Sequence, residues 1–243
     1  MDASLTFILP AANFLTAWFE KLHKTFIASG YYTLLIEGFR NTIIITLGAL
    51  AIGVVIGMLV AVIKYFAEDV KALQPLAWLC NLYVNVVRGI PMTVLLLIFF
   101  YVFFELAKDG TPVAIVAFGV NSGAYMAELI RSGLNAVDRG QMEAGRSLGL
   151  SKMQCMRKII LPQAVRYILP AIGNELIALL KETSVAGYVA VVDLTRAGNL
   201  IRNNTFDAVN SLAVVAMIYL LLSVLLSKGL SLMERRLSAS DKR

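Results

Sequence analysis

Histidine and cysteine are almost missing from this chain. One histidine, His23, and two cysteines, Cys80 and Cys155, are all that 243 residues provide. Neither cysteine lies in a CxxC pattern and no ligand partner stands near the histidine, so a structural metal site or a disulfide framework lacks its raw material. No HExxH, Ser/His or aspartate-dyad pattern is present to support an intramembrane enzyme. Charge is scarce too: Asp, Glu, Lys and Arg make up 16% of the residues, hydrophobic residues 58%, and mean hydropathy is +0.74. A soluble domain carries about 25% charged residues. Here the apolar excess is gathered into long runs, the mark of a membrane protein.

The formal net charge is +6. Basic patches interleaved with aromatics are absent, so nucleic acid is not an expected partner. The charge instead reads as topology, because cations collect on cytoplasmic loops. No Pro/Ser-rich linker, low-complexity tract or internal repeat divides the chain. Near the N-terminus Asp2 stands where a secretory leader is basic, and Pro10 breaks the apolar stretch, so no cleaved leader is expected. The expected fold is all-α: a polytopic helical bundle embedded in the lipid bilayer.

Five spans are predicted, at about residues 41–65, 90–105, 111–130, 165–185 and 208–226, each close to the roughly 20 apolar residues a crossing needs. Arg88, Gly89 and Pro91 interrupt the second apolar region, which therefore divides into an approach helix and a span. Residues 1–40 are an extracytoplasmic or interfacial segment, 41–228 the transmembrane domain, and 229–243 a basic cytoplasmic tail. Of the 22 Lys and Arg residues, fifteen fall on one side of this arrangement and six on the other, with Lys181 inside a span. That places the N-terminus outside and the C-terminus inside. An odd number of spans cannot be two inverted halves of equal span count, as in many secondary transporters. A second copy or a sister subunit is expected to complete any pathway. Gly53 and Gly57 form a GxxxG pattern in the first span, with close packing inside the chain as its expected use.

Residues 136–162 form a water-loving segment between spans. A helix over Gln141–Leu148 is predicted to end at Gly149 in the C′ position. Ser151 and Gln154 match a capping box that opens a second, amphipathic helix, with Met153, Met156 and Ile160 on one face and Pro162 at its end. Gly145 costs that first helix about 1 kcal/mol relative to alanine, which close approach by another group would offset. Lying flat on lipid headgroups is the alternative use of such helices. Gly140 to Ser147 has P-loop spacing, but Arg146 replaces the lysine, no strand precedes it, and Glu143 would face the phosphates. No nucleotide site is expected in this chain.

Charges inside spans are costly and are site candidates by default. The fourth span carries Asn174, Glu175, Lys181 and Glu182. Glu175 and Glu182 are seven residues apart, two turns along one helical face, and can hold an ammonium group or a cationic side chain. The alternative is pairing with Lys181 or Arg131, or a place at the membrane boundary. Glu128 is expected to pair with Arg131 one turn away.

Several separated motifs, in order, resemble one family. Asn41-Thr42, Val87 to Pro91, Gly123-Ala124-Tyr125-Met126-Ala127-Glu128, Glu143-Ala144-Gly145 with Gly149, Leu161-Pro162-Gln163-Ala164, and Lys181-Glu182-Thr183-Ser184 are similar to the polar amino acid permeases of bacterial binding-protein-dependent ABC importers. The resemblance covers about residues 38 to 230. It implies a multi-pass subunit of the bacterial cytoplasmic membrane, not itself an enzyme. It supports Glu175 and Glu182 as substrate contacts, beside which Asn174 and Ser184 are further candidates. Glu143, Ala144, Gly145 and Gly149 become the core of an EAA coupling loop docked on a separate ATPase, which holds the ATP and magnesium; no cofactor belongs to this chain. An extracytoplasmic solute-binding protein and a second permease, identical or paralogous, are the further partners. Arginine, histidine or glutamine are the amino acid substrates implied. An opine, a sulfur amino acid or an osmolyte fits the same architecture, and an ion-coupled secondary transporter is the rival from another class.

Overall fold

A computed structural model describes residues 16–239, and no strand occurs among them. Helix α1, residues 16–22, runs into a π-helical turn, His23–Ala28. It is followed by α2 (Tyr32–Ala67), α3 (Gln74–Gly89), α4 (Met92–Ile98, extended by the π turn Phe99–Phe103) and α5 (Gly110–Asn135). Then come α6 (Arg139–Ser147), α7 (Lys152–Cys155), α8 (Leu161–Glu182), α9 (Leu194–Thr205) and α10 (Ala208–Ala239).

The bundle is organised by α2 packed along α5. Small residues bring the two backbones together. A Cβ at Gly57 would collide with Met126 and lie 2.9 Å from the backbone nitrogen of Ala127, and one at Gly123 would lie 2.7 Å from Ile56. The GxxxG pattern is thus consumed inside the chain, as its spacing allows. Ile45, Ala49, Leu96, Phe118 and Leu179 fill the core around this seam.

The elements define two poles. At one, Asn41 donates to the carbonyl of Val192 (2.9 Å) and the Thr42 hydroxyl accepts from the backbone N–H of Leu194 (3.1 Å), fastening the first third of α2 to the entry into α9. There too Lys21 pairs with Asp207 at 2.8 Å, and Trp18 donates to Asn210 at 2.7 Å, tying α1 to α10. Asp207 is partly buried, and hydrogen bonds from Lys21 and then Asn210 hold its carboxyl below the usual carboxylate range. At the other pole lie the ends of α2 and α5 and the α6–α7 hairpin.

Several predicted boundaries move, among them the one drawn at residue 228, which falls inside α10. The first span begins at Tyr32 rather than Asn41, so the boundary drawn at residue 40 falls inside a helix. The chain does break at Ile90 and Pro91, both extended, and the two arms meet at 110°. The second arm, Met92–Phe103, is only about 18 Å long at 1.5 Å per residue, short of a hydrocarbon core of about 30 Å. It does not have the length to cross alone over 90–105, and is long and apolar enough only as a bent pair with the helix before it. Pro162 does not end the second hairpin helix: α7 continues through a π turn, Met156–Ile160, into α8. A proline inside a helix removes one i→i−4 bond and crowds the preceding turn; the widened turn just before it absorbs that misfit.

Among the described residues three helices, Tyr32–Ala67, Gly110–Asn135 and Ala208–Arg236, are long and apolar enough to cross a membrane, or four crossings if the bent pair counts as one. Helix α8 has the length, 22 residues, but carries Arg166, Glu175, Lys181 and Glu182. Helix α10 keeps a broad apolar surface, including Met217, Leu220, Leu221 and Leu225, away from the rest of the chain.

Candidate functional site

The two acids of α8 face α5. The Ser122 hydroxyl donates to Glu175 Oε1 at 3.2 Å, and Asn121 Nδ2 donates to Glu182 Oε2 at 3.4 Å. Both carboxylates are half-buried, and neither has an ion-pair partner among the described residues. Pairing with Lys181 or Arg131 is therefore not how they are held. Lys181 is exposed, and Arg131 pairs with Glu128 at 2.7 Å, as the one-turn spacing suggests. Lys64 and Arg88 close on the same Glu128 at 3.9 Å each, making it a knot between the ends of α2, α3 and α5. Two carboxylates satisfied only by neutral donors can accept a cation.

The other predicted substrate residues do not join them. Asn174 is exposed and bonds back to the Pro170 carbonyl of its own helix at 3.2 Å. Ser184 lies past the end of α8, on a 3₁₀ turn, Thr183–Val189, and lines a separate cleft. Asn121 and Ser122 escaped the sequence reading. Their one signal is two adjacent polar residues, flanked by Gly119 and Gly123, in the middle of an apolar span.

At the opposite pole the hairpin has the predicted caps. Gly149 takes φ +84°, the left-handed residue that ends α6. The Ser151 side chain accepts from Gln154 N, and the Gln154 side chain accepts from Ser151 N, so the capping box is complete. Glu143, Ala144 and Gly149 are exposed, as is Leu148 at 83%. Gly145 is not: it is buried inside the hairpin, where a Cβ would lie 2.7 Å from Cys155 Sγ and 3.0 Å from Ile159. Its missing side chain lets the two arms meet. The inner face of the second arm consequently centres on Cys155 and Ile160, while Met153 turns outward, 47% exposed.

One side chain fastens this hairpin to the first span. Lys152 Nζ lies 2.8 Å from Asp69 and 3.4 Å from Glu68, just past α2, and 5.0 Å from the centre of the Tyr65 ring. The hydrogen bond to Asp69 raises the lysine above its ordinary range. Beside it a cavity of about 430 Å³, bounded by Lys64, Tyr65, Arg131, Met142 and Met156, separates hairpin from spans. The hairpin is thus joined to the bundle by a continuous helix, by an ionic clasp, and by an apolar cluster in which Met142, Met156 and Ile160 meet Ile130 and Leu134 of α5.

A family model described as "Binding-protein-dependent transport system inner membrane component" matches residues 53–239. The chain belongs to that family. The matched stretch holds both the hairpin and the acid pair of this permease, and its place is the cytoplasmic membrane. As a transport permease it is not an enzyme. The glutamine transport system permease GlnP of Escherichia coli K12 is 35% identical over 212 residues, covering 84% of this chain and 93% of the relative. The L-cystine transport system permease TcyB of Bacillus subtilis is 35% identical over 214 residues, covering 87% and 89%. Among solved structures, that of an amino acid ABC transporter with histidines aligns with a TM-score of 0.79 at 37% identity, covering 86% of this permease and 96% of that chain.

Proposed function

We propose that this permease is the membrane subunit of an ATP-driven importer of polar amino acids. It works by alternating access, with five crossings per copy, α8 among them, and the hairpin in the cytoplasm. A separate ATPase, holding the nucleotide and its magnesium, grips the exposed face of α6. A second permease completes the pathway, and a binding protein delivers the solute outside. The observation that carries this reading is the unbroken helical run from Lys152 to Glu182. It joins the element that would meet the ATPase to the acids that would meet the substrate, so a displacement at the hairpin moves the acid face against Asn121 and Ser122. A flexible loop in its place would absorb the displacement.

Uptake by vesicles carrying permease, ATPase and binding protein tests the assignment, with glutamine, arginine and cystine as probes. Glu175→Gln and Glu182→Gln keep the hydrogen bonds from α5 possible but remove charge. Each is expected to lower ATP-driven uptake of arginine roughly 10- to 150-fold, the worth of one charged hydrogen bond. Unchanged uptake in both variants would remove the acids from the pathway.

The Lys152 clasp gives a second expectation. A surface pair is worth about 1 kcal/mol at most, so Lys152→Glu is expected to leave the fold intact. Uptake per ATP hydrolysed should fall by about fivefold, the factor that energy corresponds to. Exchanging the charges, Lys152→Asp with Asp69→Lys, should restore most of it. A coupling ratio that ignores both changes would show the clasp to be idle.

A further inference from the structure

An amino acid in water carries a carboxylate as well as an ammonium group, and the acids of α8 complement only the second. A path that narrows around the molecule without a matching cation would leave the carboxylate desolvated and unpaired, which is costly. We propose that the cleft at the pole opposite the hairpin is a carboxylate-recognition site in which Arg196 receives the α-carboxylate of the substrate. The inference rests on the amino acid reading above and extends it to a residue outside the acid pair.

The cleft encloses about 560 Å³, within the range of small-molecule sites. Ser184, Tyr188, Thr195, Asn199 and Asn203 supply neutral polar groups to its wall, Arg196 is its one charged liner, and no carboxylate lines it. The nearest acid, Asp193, is fully buried beneath the start of α9, where its carboxylate accepts from the backbone N–H groups of Thr195 and Arg196. It is engaged in capping the helix and does not reach the cleft.

Arg196 is held ready. Its Nη1 donates to the carbonyl of Gly187 at 2.6 Å. A Cβ on Gly187 would lie 3.2 Å from Arg196 Cβ and 3.1 Å from Asp193 Oδ1, so the small residue lets the arginine sit against the turn. A guanidinium has five N–H donors. Gly187 is the side chain's sole acceptor among the described residues, which leaves a planar fork of the kind that grips a carboxylate by two bonds. Ser184 stands two residues after Glu182 on the turn that leaves α8. The anion-binding and cation-binding parts therefore follow one another along a single stretch of chain.

Equilibrium binding to the detergent-solubilised permease–ATPase complex, without binding protein, tests this. The probes are L-glutamine and L-arginine, each beside its carboxamide, which keeps everything but the carboxylate charge. The intact complex is expected to prefer the acids. Arg196→Gln should weaken acid binding by roughly 10- to 100-fold, one charge-assisted bond pair, and leave the carboxamides unchanged. Arg196→Lys should keep the preference in weaker form. Asn203→Asp, an exposed change that adds a repelling charge without touching the Gly187 contact, should reduce the preference without unfolding the protein. Equal weakening of acid and carboxamide in Arg196→Gln would mean that the arginine only braces the turn, and an unaltered preference in Asn203→Asp would place the carboxylate elsewhere. Either result overturns the proposal while leaving the amino acid reading standing. An intact complex that binds none of the four probes would overturn both.

Discussion

Leu148→Asp and Ala144→Trp are each expected to abolish association with the ATPase while leaving the permease folded and inserted. Ala144 lies on the exposed face of α6 and Leu148, at 83% exposure, caps its end, at the tip of a hairpin whose inner face is already sealed. A large apolar residue displayed on so polar a segment has no packing role within the chain. At the centre of an interface, a group of this kind carries about 2–4 kcal/mol, or a loss of roughly 30- to 1,000-fold in affinity. Co-purification of the ATPase with a tagged permease reads the result directly. Thermal unfolding in detergent supplies the control and should match the unaltered protein. Gly145→Trp, which the EAA-like spelling singles out, is expected to behave differently. With Cys155 Sγ 2.7 Å from where its Cβ would stand, a tryptophan there must pry the arms apart. It should lose the ATPase through a destabilised hairpin, visible as a lowered melting temperature. An exposed-face variant that still co-purifies fully would remove α6 from the interface.

The second large effect concerns the seam between α2 and α5. Gly57→Leu is expected to prevent folding. The substituent would meet Met126 and the backbone nitrogen of Ala127, and backbone in the middle of a helix cannot step aside. Overpacking in a core that can adjust costs about 1–3 kcal/mol, and more where it cannot; a marginally stable domain does not survive several kcal/mol. Size-exclusion chromatography of the detergent extract should show aggregate in place of a monodisperse peak. Gly229→Leu provides the comparison, since nothing lies within 4 Å of its would-be Cβ. A helix gains up to about 1 kcal/mol when glycine is replaced by a good helix former, so that variant should be neutral or slightly stabilised. Equal tolerance at both positions would mean that the seam is looser than its geometry.

The parts of this molecule legible from sequence were those fixed by neighbours in the chain. The break at Ile90-Pro91, the left-handed Gly149, the Ser151–Gln154 capping box and the Glu128–Arg131 pair all depend on residues within one turn. The twin acids on one face of α8 followed from spacing alone. What escaped depended on packing between distant segments. Pro162 reads as a stop, and only a π turn over Met156–Ile160 lets the helix run on. Gly145 reads as an open face until the second arm of the hairpin fills it. Asn121 and Ser122 become partners of the acids, and Glu68 and Asp69 become partners of Lys152, only once α5 and α2 are in place. Span counting met a similar limit: α8 has the length to cross but carries charges that an apolar stretch lacks, and Met92–Phe103 has the composition but not the length.

The account depends on force entering at the hairpin from a separate nucleotide-hydrolysing subunit. Solute accumulation in sealed vesicles tests that most directly. With ATPase, binding protein and ATP supplied on their proper sides, labelled amino acid should concentrate inside, and with this permease alone under a proton or sodium gradient nothing should accumulate. Concentrative uptake by the lone permease driven by the ion gradient would contradict the account.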